Sequence, residues 1–135
     1  MAYVKQRHSK DCGIAALAML CDVTYEEAER AIPWKREGWL SGTTTKQLID
    51  GAKKLGYRTE GDRMRPLSYD HIGGWTGIPD NCLVKVPHPE GHGWHWVVWR
   101  KVKVYDPAIG VFKPHLYPLG KPVSRLRFIK EENDA

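Results

Sequence analysis

The apolar positions near the start of the chain have the spacing of α-helices. Residues 13–20 form a continuous run of small and aliphatic side chains that follows a polar lead-in. Thr24 and Glu27 then form a capping-box pattern, in which each side chain can bind the backbone of the other residue. We therefore predict a first helix over 13–20 and a short second helix that begins after Thr24 and ends near Ile32, before Pro33.

A third helix is predicted to begin at Thr44 or Thr45. Its apolar side chains recur with helical spacing and share one face, at Leu48, Ile49, Ala52 and Leu55. Gly56 follows directly, and glycine often ends a helix because it adopts the left-handed backbone conformation without steric cost.

The second half of the chain has the pattern of β-strands. Five segments are rich in β-branched and aromatic residues and are separated by proline and glycine; they span 82–86, 94–100, 102–105, 111–115 and 123–129. Residues 61–81 are rich in Gly and Pro and are predicted to form an irregular excursion over the surface. Helices followed by antiparallel strands predict the α+β class.

The composition is that of an ordinary globular protein. The chain has 135 residues, of which 41% are hydrophobic and 27% charged, and this excludes wholesale disorder. Its length predicts a single domain over 1–135. The formal net charge is +5, but the densest basic stretch, residues 58–65, is interrupted by Glu60 and Asp62. Because no nucleic-acid-binding motif accompanies this charge, we expect no nucleic-acid partner.

The sequence favours a cytoplasmic location. The apolar run at 14–21 is far shorter than the ~20 residues of a membrane-spanning helix, and the acidic residues around it do not fit a signal peptide. The cysteines, Cys12, Cys21 and Cys82, are odd in number and show no C-x-x-C spacing. A disulfide framework is therefore not expected, and a reducing compartment would leave a thiol free to react.

Cys12 is the candidate nucleophile. It stands directly before the small-residue helix, where unpaired N–H groups and the helix dipole favour a negatively charged thiolate. Gly13 adds no side-chain bulk beside the sulfur, so a substrate carbonyl could approach it. The local pattern also fits a small buried side chain at a helix start, because free cysteines are often buried.

His95 and Asp106 lie on two consecutive predicted strands. If these strands form a hairpin that turns around residues 100–101, His95 lies directly opposite Asp106 and Trp99 opposite Val102. Opposed residues share a face and approach to about 5.5 Å, whereas a slip of one residue would separate the two groups. The pair suits a carboxylate that orients a histidine base, and it also fits a contact that merely closes the hairpin.

Three motifs resemble those of the double-glycine leader peptidases. These papain-like cysteine peptidases process bacteriocin precursors, often as the N-terminal domain of an export transporter. Gln6 and the segment 11–19 resemble the active-site opening of the family. The segment 95–98, a His followed by Trp-Val-Val, and the segment 104–108, a strand that ends in Asp-Pro-Ala, resemble its second and third motifs. The motifs occur in the family order and span nearly the whole chain.

The resemblance implies a fold and a set of catalytic roles. The fold is α+β and papain-like, with the nucleophile on the first helix and the helices packed on a C-terminal antiparallel sheet. Cys12 would be the nucleophile, His95 the base and Asp106 the group that orients it. Gln6 would donate its side-chain amide to the oxyanion, together with the backbone N–H of Cys12. No cofactor is implied.

The implied partner is a peptide or protein substrate that is cut after Gly-Gly. No transporter sequence follows, so we expect a free-standing enzyme that could act on another peptide. Two alternatives stay open: a non-catalytic peptide-binding module of the same fold, and a thiol acyltransferase or isopeptidase that uses the same triad. The second would need the same nucleophile, base and oxyanion donors, so the sequence does not separate it from a peptidase.

Four residues are candidate substrate contacts: Gly13, Trp94, Trp39 and His92. Trp39 belongs, with Trp34 and Trp75, to a set of tryptophans in Gly/Pro-rich segments that could line an apolar groove.

A metal site is the competing interpretation of the histidines. His88, His92 and His95, with Cys82 upstream, could supply four ligands to Zn²⁺. The prolines and glycines between the histidines predict a loop that does not fix their spacing, and zinc binding would remove His95 from the triad. We therefore expect no metal.

Overall fold

A computed structural model describes residues 2–32, 43–67, 74–88 and 93–132. Three α-helices come first within these ranges: α1 (Cys12–Leu20), α2 (Tyr25–Ala31) and α3 (Thr45–Lys54). The three predicted helices are thus confirmed, with ends that differ by about a residue. No helix in the described ranges has the length and apolarity that crossing a bilayer requires.

The strands of the described residues form one antiparallel sheet. Its seven strands are β1 (Tyr57–Thr59), β2 (Arg65–Pro66), β3 (Cys82–Pro87), β4 (Trp94–Arg100), β5 (Lys103–Asp106), β6 (Gly110–Phe112) and β7 (Ser124–Lys130). Their order across the sheet is β1-β7-β3-β4-β5-β6, and β2 pairs with a different part of β7. The predicted α+β class is confirmed. The sequence pattern missed β1 and β2, which are too short to show an alternation of their own.

The first hydrophobic core lies between the sheet and the three helices. Helix α1 is at its centre, in contact with β4, α2 and α3. All nine of its residues are buried, which is expected of a helix that is apolar on every side. Helices α2 and α3 each begin with a complete capping box, in which Thr24 pairs with Glu27 and Thr44 with Gln47. These caps fix where the two outer helices start.

A second core covers the opposite face of the sheet. Its buried residues are Trp75, Ile78, Cys82, Val84, Val86, Val97, Trp99, Val104 and Tyr117. The ring of Trp75 lies 5.6 Å from the rings of both Trp99 and Tyr117, and the indole N–H of Trp99 donates to the carbonyl of Ile78 at 2.9 Å. The prediction that residues 61–81 run over the surface is therefore wrong at Trp75 and Ile78, because the apolar sheet face needs their cover. Burial also removes Trp75 from the predicted apolar groove.

The β4–β5 hairpin turns one residue later than predicted, at Lys101 and Val102. Both residues have positive φ, 49° and 60°, as the two central positions of a type I′ turn require. Trp99 consequently pairs with Val104. The predicted register, with Trp99 opposite Val102, is wrong by two residues. A shift of two residues keeps every side chain on its predicted face.

The C-terminal end of α1 is tied to the sheet by side chains. Arg100 of β4 donates to the carbonyl of Met19 at 3.3 Å and binds the carboxylate of Asp22 through both terminal nitrogens, at 3.0 and 3.2 Å. Asn81 donates its amide N–H groups to the carbonyl of Leu20 at 3.1 Å and to a β7 carbonyl at 2.9 Å. The last carbonyls of a helix lack intrahelical donors, so these bonds satisfy groups that would otherwise be unpaired.

We expect Arg100→Ala to lower the free energy of unfolding by about 1–3 kcal/mol, because a charged donor is lost from a partly buried carbonyl and carboxylate. Urea denaturation measures this as a lower midpoint with an unchanged slope. Arg63→Ala is the matched control, since that side chain is 86% exposed and should change stability little. Equal stabilities of the two variants would show that Arg100 does not hold α1 to the sheet.

Candidate active site

Cys12 is the first residue of α1, which begins one residue earlier than predicted, and it is buried. The first N–H groups of a helix have no acceptor within it, so those of Cys12 and Gly13 are directed out of the helix beside the sulfur. Asp11, the N-cap residue, makes no side-chain hydrogen bond to them. The helix start therefore combines a thiol with donors that an anion can use.

His95 and Asp106 are in direct contact. Nε2 of His95 lies 2.7 Å from Oδ1 of Asp106, and the two side chains are 3% and 0% exposed. His95 is the second residue of β4 and Asp106 the last of β5, so in the observed register they are diagonal neighbours. Diagonal neighbours on one face stay within reach of long side chains. The predicted contact is thus present although the predicted register is wrong.

His95 also links Asp106 to Cys12. Burial opposes the charged imidazolium, but hydrogen bonds to Asp106 and to Cys12 outweigh it and raise the pKa of His95 to about 9. Because Nε2 faces Asp106, Nδ1 is the ring nitrogen that remains for the sulfur of Cys12. The arrangement keeps His95 protonated at neutral pH, which suits a histidine paired with a thiolate.

The carboxylate of Asp106 is held by further donors. Its Oδ1 accepts from the backbone N–H of Ala108 at 2.8 Å, and its Oδ2 accepts from the hydroxyl of Tyr117 at 2.6 Å. Burial alone would raise the pKa of Asp106, but the hydrogen bonds from His95, Tyr117 and Ala108 bring it below its ordinary value. The backbone carbonyl of Asp106 accepts from the hydroxyl of Tyr3 at 2.6 Å.

Sequence reasoning missed both tyrosines. Tyr117 follows a short 3₁₀ turn, Pro114–Leu116, that replaces the end of the strand predicted over 111–115. Tyr3 lies 103 residues from Asp106 in the sequence. No local pattern relates a hydroxyl to a carboxylate at such separations, so only the folded chain could reveal these contacts.

Gln6 lies beside the segment that follows Asp106. Its backbone N–H donates to the carbonyl of Pro107 at 2.9 Å. Its side-chain amide donates to the carbonyl of His8 at 2.7 Å, and a second N–H of the amide remains, since an NH₂ group has two donors. The amide oxygen is buried and has no hydrogen-bond partner among the described residues.

Comparison with protein families identifies the chain. Residues 1–116 match the model of the Peptidase C39 family. The chain belongs to this family. The finding confirms the resemblance that the three motifs predicted. A comparison with curated proteins gives no match.

Two solved structures share the C39 fold of this chain. One is a double glycine motif protease from an AMS/PCAT transporter, in complex with the leader peptide. It is 18% identical, with a TM-score of 0.61, over 96% of this chain and 91% of its own. The other is the peptidase domain of Streptococcus ComA, a bi-functional ABC transporter involved in a quorum sensing pathway. It is also 18% identical, with a TM-score of 0.62, over 96% of this chain and 98% of its own.

Gly13 of this C39 family member is packed against Thr43. A Cβ atom added at Gly13 would collide with Oγ1 of Thr43 and would lie 3.2 Å from Cδ1 of Trp96. Trp96 is itself fixed by a hydrogen bond from its indole N–H to the carbonyl of Thr43 at 3.2 Å. The packing thus supplies a reason for glycine beside Cys12 other than the access for substrate that the sequence suggested.

The other predicted substrate contacts are only partly described. Trp94 is 56% exposed and lies on the same face of β4 as Trp96, with Nζ of Lys85 above both rings at 5.7 and 5.3 Å. Trp39 and His92 lie outside the described residues, as does Trp34.

In the alternative zinc site, Cys82 cannot bind the same ion as His95. The ring of His88 lies 5.9 Å from that of His95. Cys82, however, pairs with Trp99 at the far end of β4, while His95 pairs with Val86. The strand rise places these ends roughly 13 Å apart, too far for both to bind one ion. Within the described ranges, no group of three or more His, Cys, Asp or Glu could hold a metal.

We expect Gly13→Ala to destabilise the protein by about 1–3 kcal/mol, because the added methyl overpacks the contact with Thr43. Urea denaturation of Gly13→Ala, Thr43→Ala and the double variant measures the coupling. The double variant should recover part of the loss, since the colliding hydroxyl is gone. Additive losses in the cycle would contradict a direct contact.

Proposed function

We propose that the chain is a cysteine peptidase whose catalytic triad is Cys12, His95 and Asp106. The observation that carries this proposal is the row of contacts at the start of α1. Nε2 of His95 lies 2.7 Å from Oδ1 of Asp106, and the attraction of His95 to Cys12 as well as to Asp106 raises the pKa of His95 to about 9. A protonated histidine stabilises the thiolate, which is the nucleophilic form of cysteine. Membership of the Peptidase C39 family supports the same chemistry.

The reaction then proceeds through an acyl-enzyme. The thiolate of Cys12 attacks the carbonyl carbon of the scissile bond, and a C–S bond forms while the carbonyl oxygen becomes an oxyanion. The imidazolium of His95 gives its proton to the amide nitrogen, and the C–N bond breaks to release the amine. Neutral His95 next takes a proton from water, whose oxygen attacks the thioester. The C–S bond breaks and the carboxylic acid product is released. The thiolate of Cys12 and the protonated His95 are thereby regenerated.

Asp106 serves this reaction by orienting His95. It accepts from Nε2, so Nδ1 is the nitrogen that faces the sulfur and carries the transferred proton. The oxyanion would be held by the backbone N–H of Cys12 and by the remaining amide N–H of Gln6. Such preorganised donors stabilise the developing charge, typically by about 3–4 kcal/mol each.

The proposed substrate is a peptide that is cut after Gly-Gly. In support, one of the fold neighbours is a double glycine motif protease in complex with a leader peptide. Trp94 lies exposed at the start of β4 and shares a face with Trp96, which packs near Gly13. A peptide that approaches Cys12 would therefore pass the ring of Trp94. Substrate contacts by Gly13, Trp39 and His92 stay predictions.

The wider expectations from the sequence also stay predictions. They are a single domain over 1–135, a cytoplasmic location and catalysis without a cofactor. For the location, all three cysteines are free in this structure, as they are in a reducing compartment such as the cytoplasm.

Iodoacetamide should label Cys12 selectively at about pH 6, where an ordinary thiol is almost wholly protonated. Cys21 and Cys82 are internal controls, because burial raises their pKa values to about 12 and about 11. His95→Ala should remove the labelling at this pH, and Cys12→Ala should abolish peptide cleavage while the fold is kept. Peptide mapping by mass spectrometry measures the modification of each cysteine.

The outcomes of this experiment separate the alternatives. Labelling of Cys12 that does not depend on His95, in a protein that binds peptides without cutting them, would favour the non-catalytic binding module. His95-dependent labelling with transfer of the acyl group to an added amine, and no hydrolysis, would indicate an acyltransferase. Release of the acid and the amine from a synthetic Gly-Gly peptide supports the peptidase.

The alkaline limb of kcat/KM should lie near pH 9, because activity requires protonated His95 and its pKa is about 9. Asp106→Asn removes the charge that raises this pKa. The limb should therefore move to lower pH, by about one to three units, and kcat should fall. Asp50→Asn, which removes a half-buried carboxylate paired with Lys46 on α3, should leave the profile unchanged. An unmoved limb in Asp106→Asn would exclude Asp106 as the partner that sets the His95 titration.

A further inference from the structure

Asp11 is a fully buried carboxylate that the triad does not use. It directly precedes Cys12 and is 0% exposed. Its two oxygens accept from the backbone N–H of Arg7 and of His8, each at 2.9 Å. A third hydrogen bond, at 2.6 Å, comes from the buried hydroxyl of Tyr25 on α2. The carboxylate is thus surrounded by donors from the segment before it and from the neighbouring helix.

The direction of these bonds is unusual for the residue at a helix N-cap. An aspartate at this position normally accepts from the N–H groups of the second or third helical residue. The side chain of Asp11 makes no such bond and turns back toward the segment 6–8, which precedes it in the chain. The N–H of Gly13, the second residue of α1, therefore receives no side-chain cap from Asp11.

Asp11 holds the two residues that directly follow Gln6 in the chain, Arg7 and His8. The side chain of Gln6 donates to the carbonyl of His8, and the N–H of the same His8 is bound by Asp11. One carboxylate thereby holds His8, the residue whose carbonyl accepts from the Gln6 amide. On its outer side, the guanidinium of Arg7 lies 4.1 Å above the ring of Tyr25, which also donates to Asp11.

We propose that Asp11 is a positioning residue for the oxyanion site, and this rests on the peptidase function proposed above. By binding the N–H groups of Arg7 and His8, it holds the Gln6 amide beside the start of α1.

This role predicts a loss of kcat without a loss of thiol reactivity. Asp11→Asn replaces one acceptor oxygen with an NH₂ group, which cannot accept a hydrogen bond from the backbone N–H that it faces. The segment 6–8 would then no longer be held in place. We expect kcat for a Gly-Gly peptide to fall about 10²- to 10³-fold, as for removal of one oxyanion donor, with KM changed less than about threefold. Alkylation of Cys12 by iodoacetamide forms no oxyanion, and its rate should stay within about threefold of wild type.

Three comparisons test the proposal. Asp11→Asn combined with Gln6→Ala should be no slower than the slower single variant, because both changes remove the same donor. Tyr25→Phe, a milder change that keeps the packing of the ring, should lower kcat in the same direction. In both Asp11→Asn and Tyr25→Phe, the amide protons of Arg7 and His8 should exchange with solvent faster than in wild type, as measured by NMR.

Asp22→Asn is the matched control, since it makes the same substitution at the other end of α1. It should lower stability through Arg100 and leave kcat unchanged. The proposal is overturned if Asp11→Asn and Tyr25→Phe keep wild-type kcat, if the losses of Asp11→Asn and Gln6→Ala multiply, or if the exchange of the two amides is unaltered. Failure of the peptidase function itself would differ, because wild type would then cut no Gly-Gly peptide and Cys12 would label independently of His95.

Discussion

A carboxylate removed from water is stable only where donors surround it, and Asp106 meets that condition through three parts of the chain. His95 approaches from β4, the N–H of Ala108 from the turn after β5, and the hydroxyl of Tyr117 from beyond β6. These bonds hold the end of the hairpin and the segment that follows it in one arrangement. His95 is left with one orientation, in which Nε2 is bound to Asp106 and Nδ1 is the ring nitrogen that remains. The alignment of the whole site therefore depends on the burial of this one charge.

The two halves of the site come from opposite faces of the sheet. Cys12 belongs to the first core, with α1 against β4. His95 shares its face of β4 with Val97 and Trp99, which belong to the second core. Groups on opposite faces can meet only where the sheet ends, so His95 must stand near the start of β4 and Cys12 at the very start of α1. The same constraint leaves the site at the rim of the protein, with exposed Trp94 beside it.

Local signals in the sequence were sufficient for the helices and most strands, whereas the triad candidates came from motifs that resemble those of a known family. The capping box at Thr24 and the run of small residues after Cys12 each act over only a few neighbouring residues. The hairpin register was missed because Lys101 and Val102 adopt positive φ without the Gly or Asn that usually marks such a turn. The predicted contact of His95 with Asp106 is nevertheless present, since an error of two residues preserves the face. Tyr117, Tyr25 and the buried Trp75 could not be foreseen, because their partners are set by tertiary packing.

The choice of tyrosine as a partner for the buried carboxylates has a chemical consequence. An arginine beside Asp106 would compete with His95 for the negative charge and would oppose protonation of the imidazole. A tyrosine hydroxyl satisfies an oxygen of the carboxylate and brings no charge of its own. Burial and the contact with Asp106 raise the pKa of Tyr117 far above its ordinary value, so it remains a neutral donor wherever His95 titrates. The full charge of Asp106 thus acts on His95. In the same way, the neutral hydroxyl of Tyr25 brings no positive charge that would compete with the N–H groups of Arg7 and His8 for the carboxylate of Asp11.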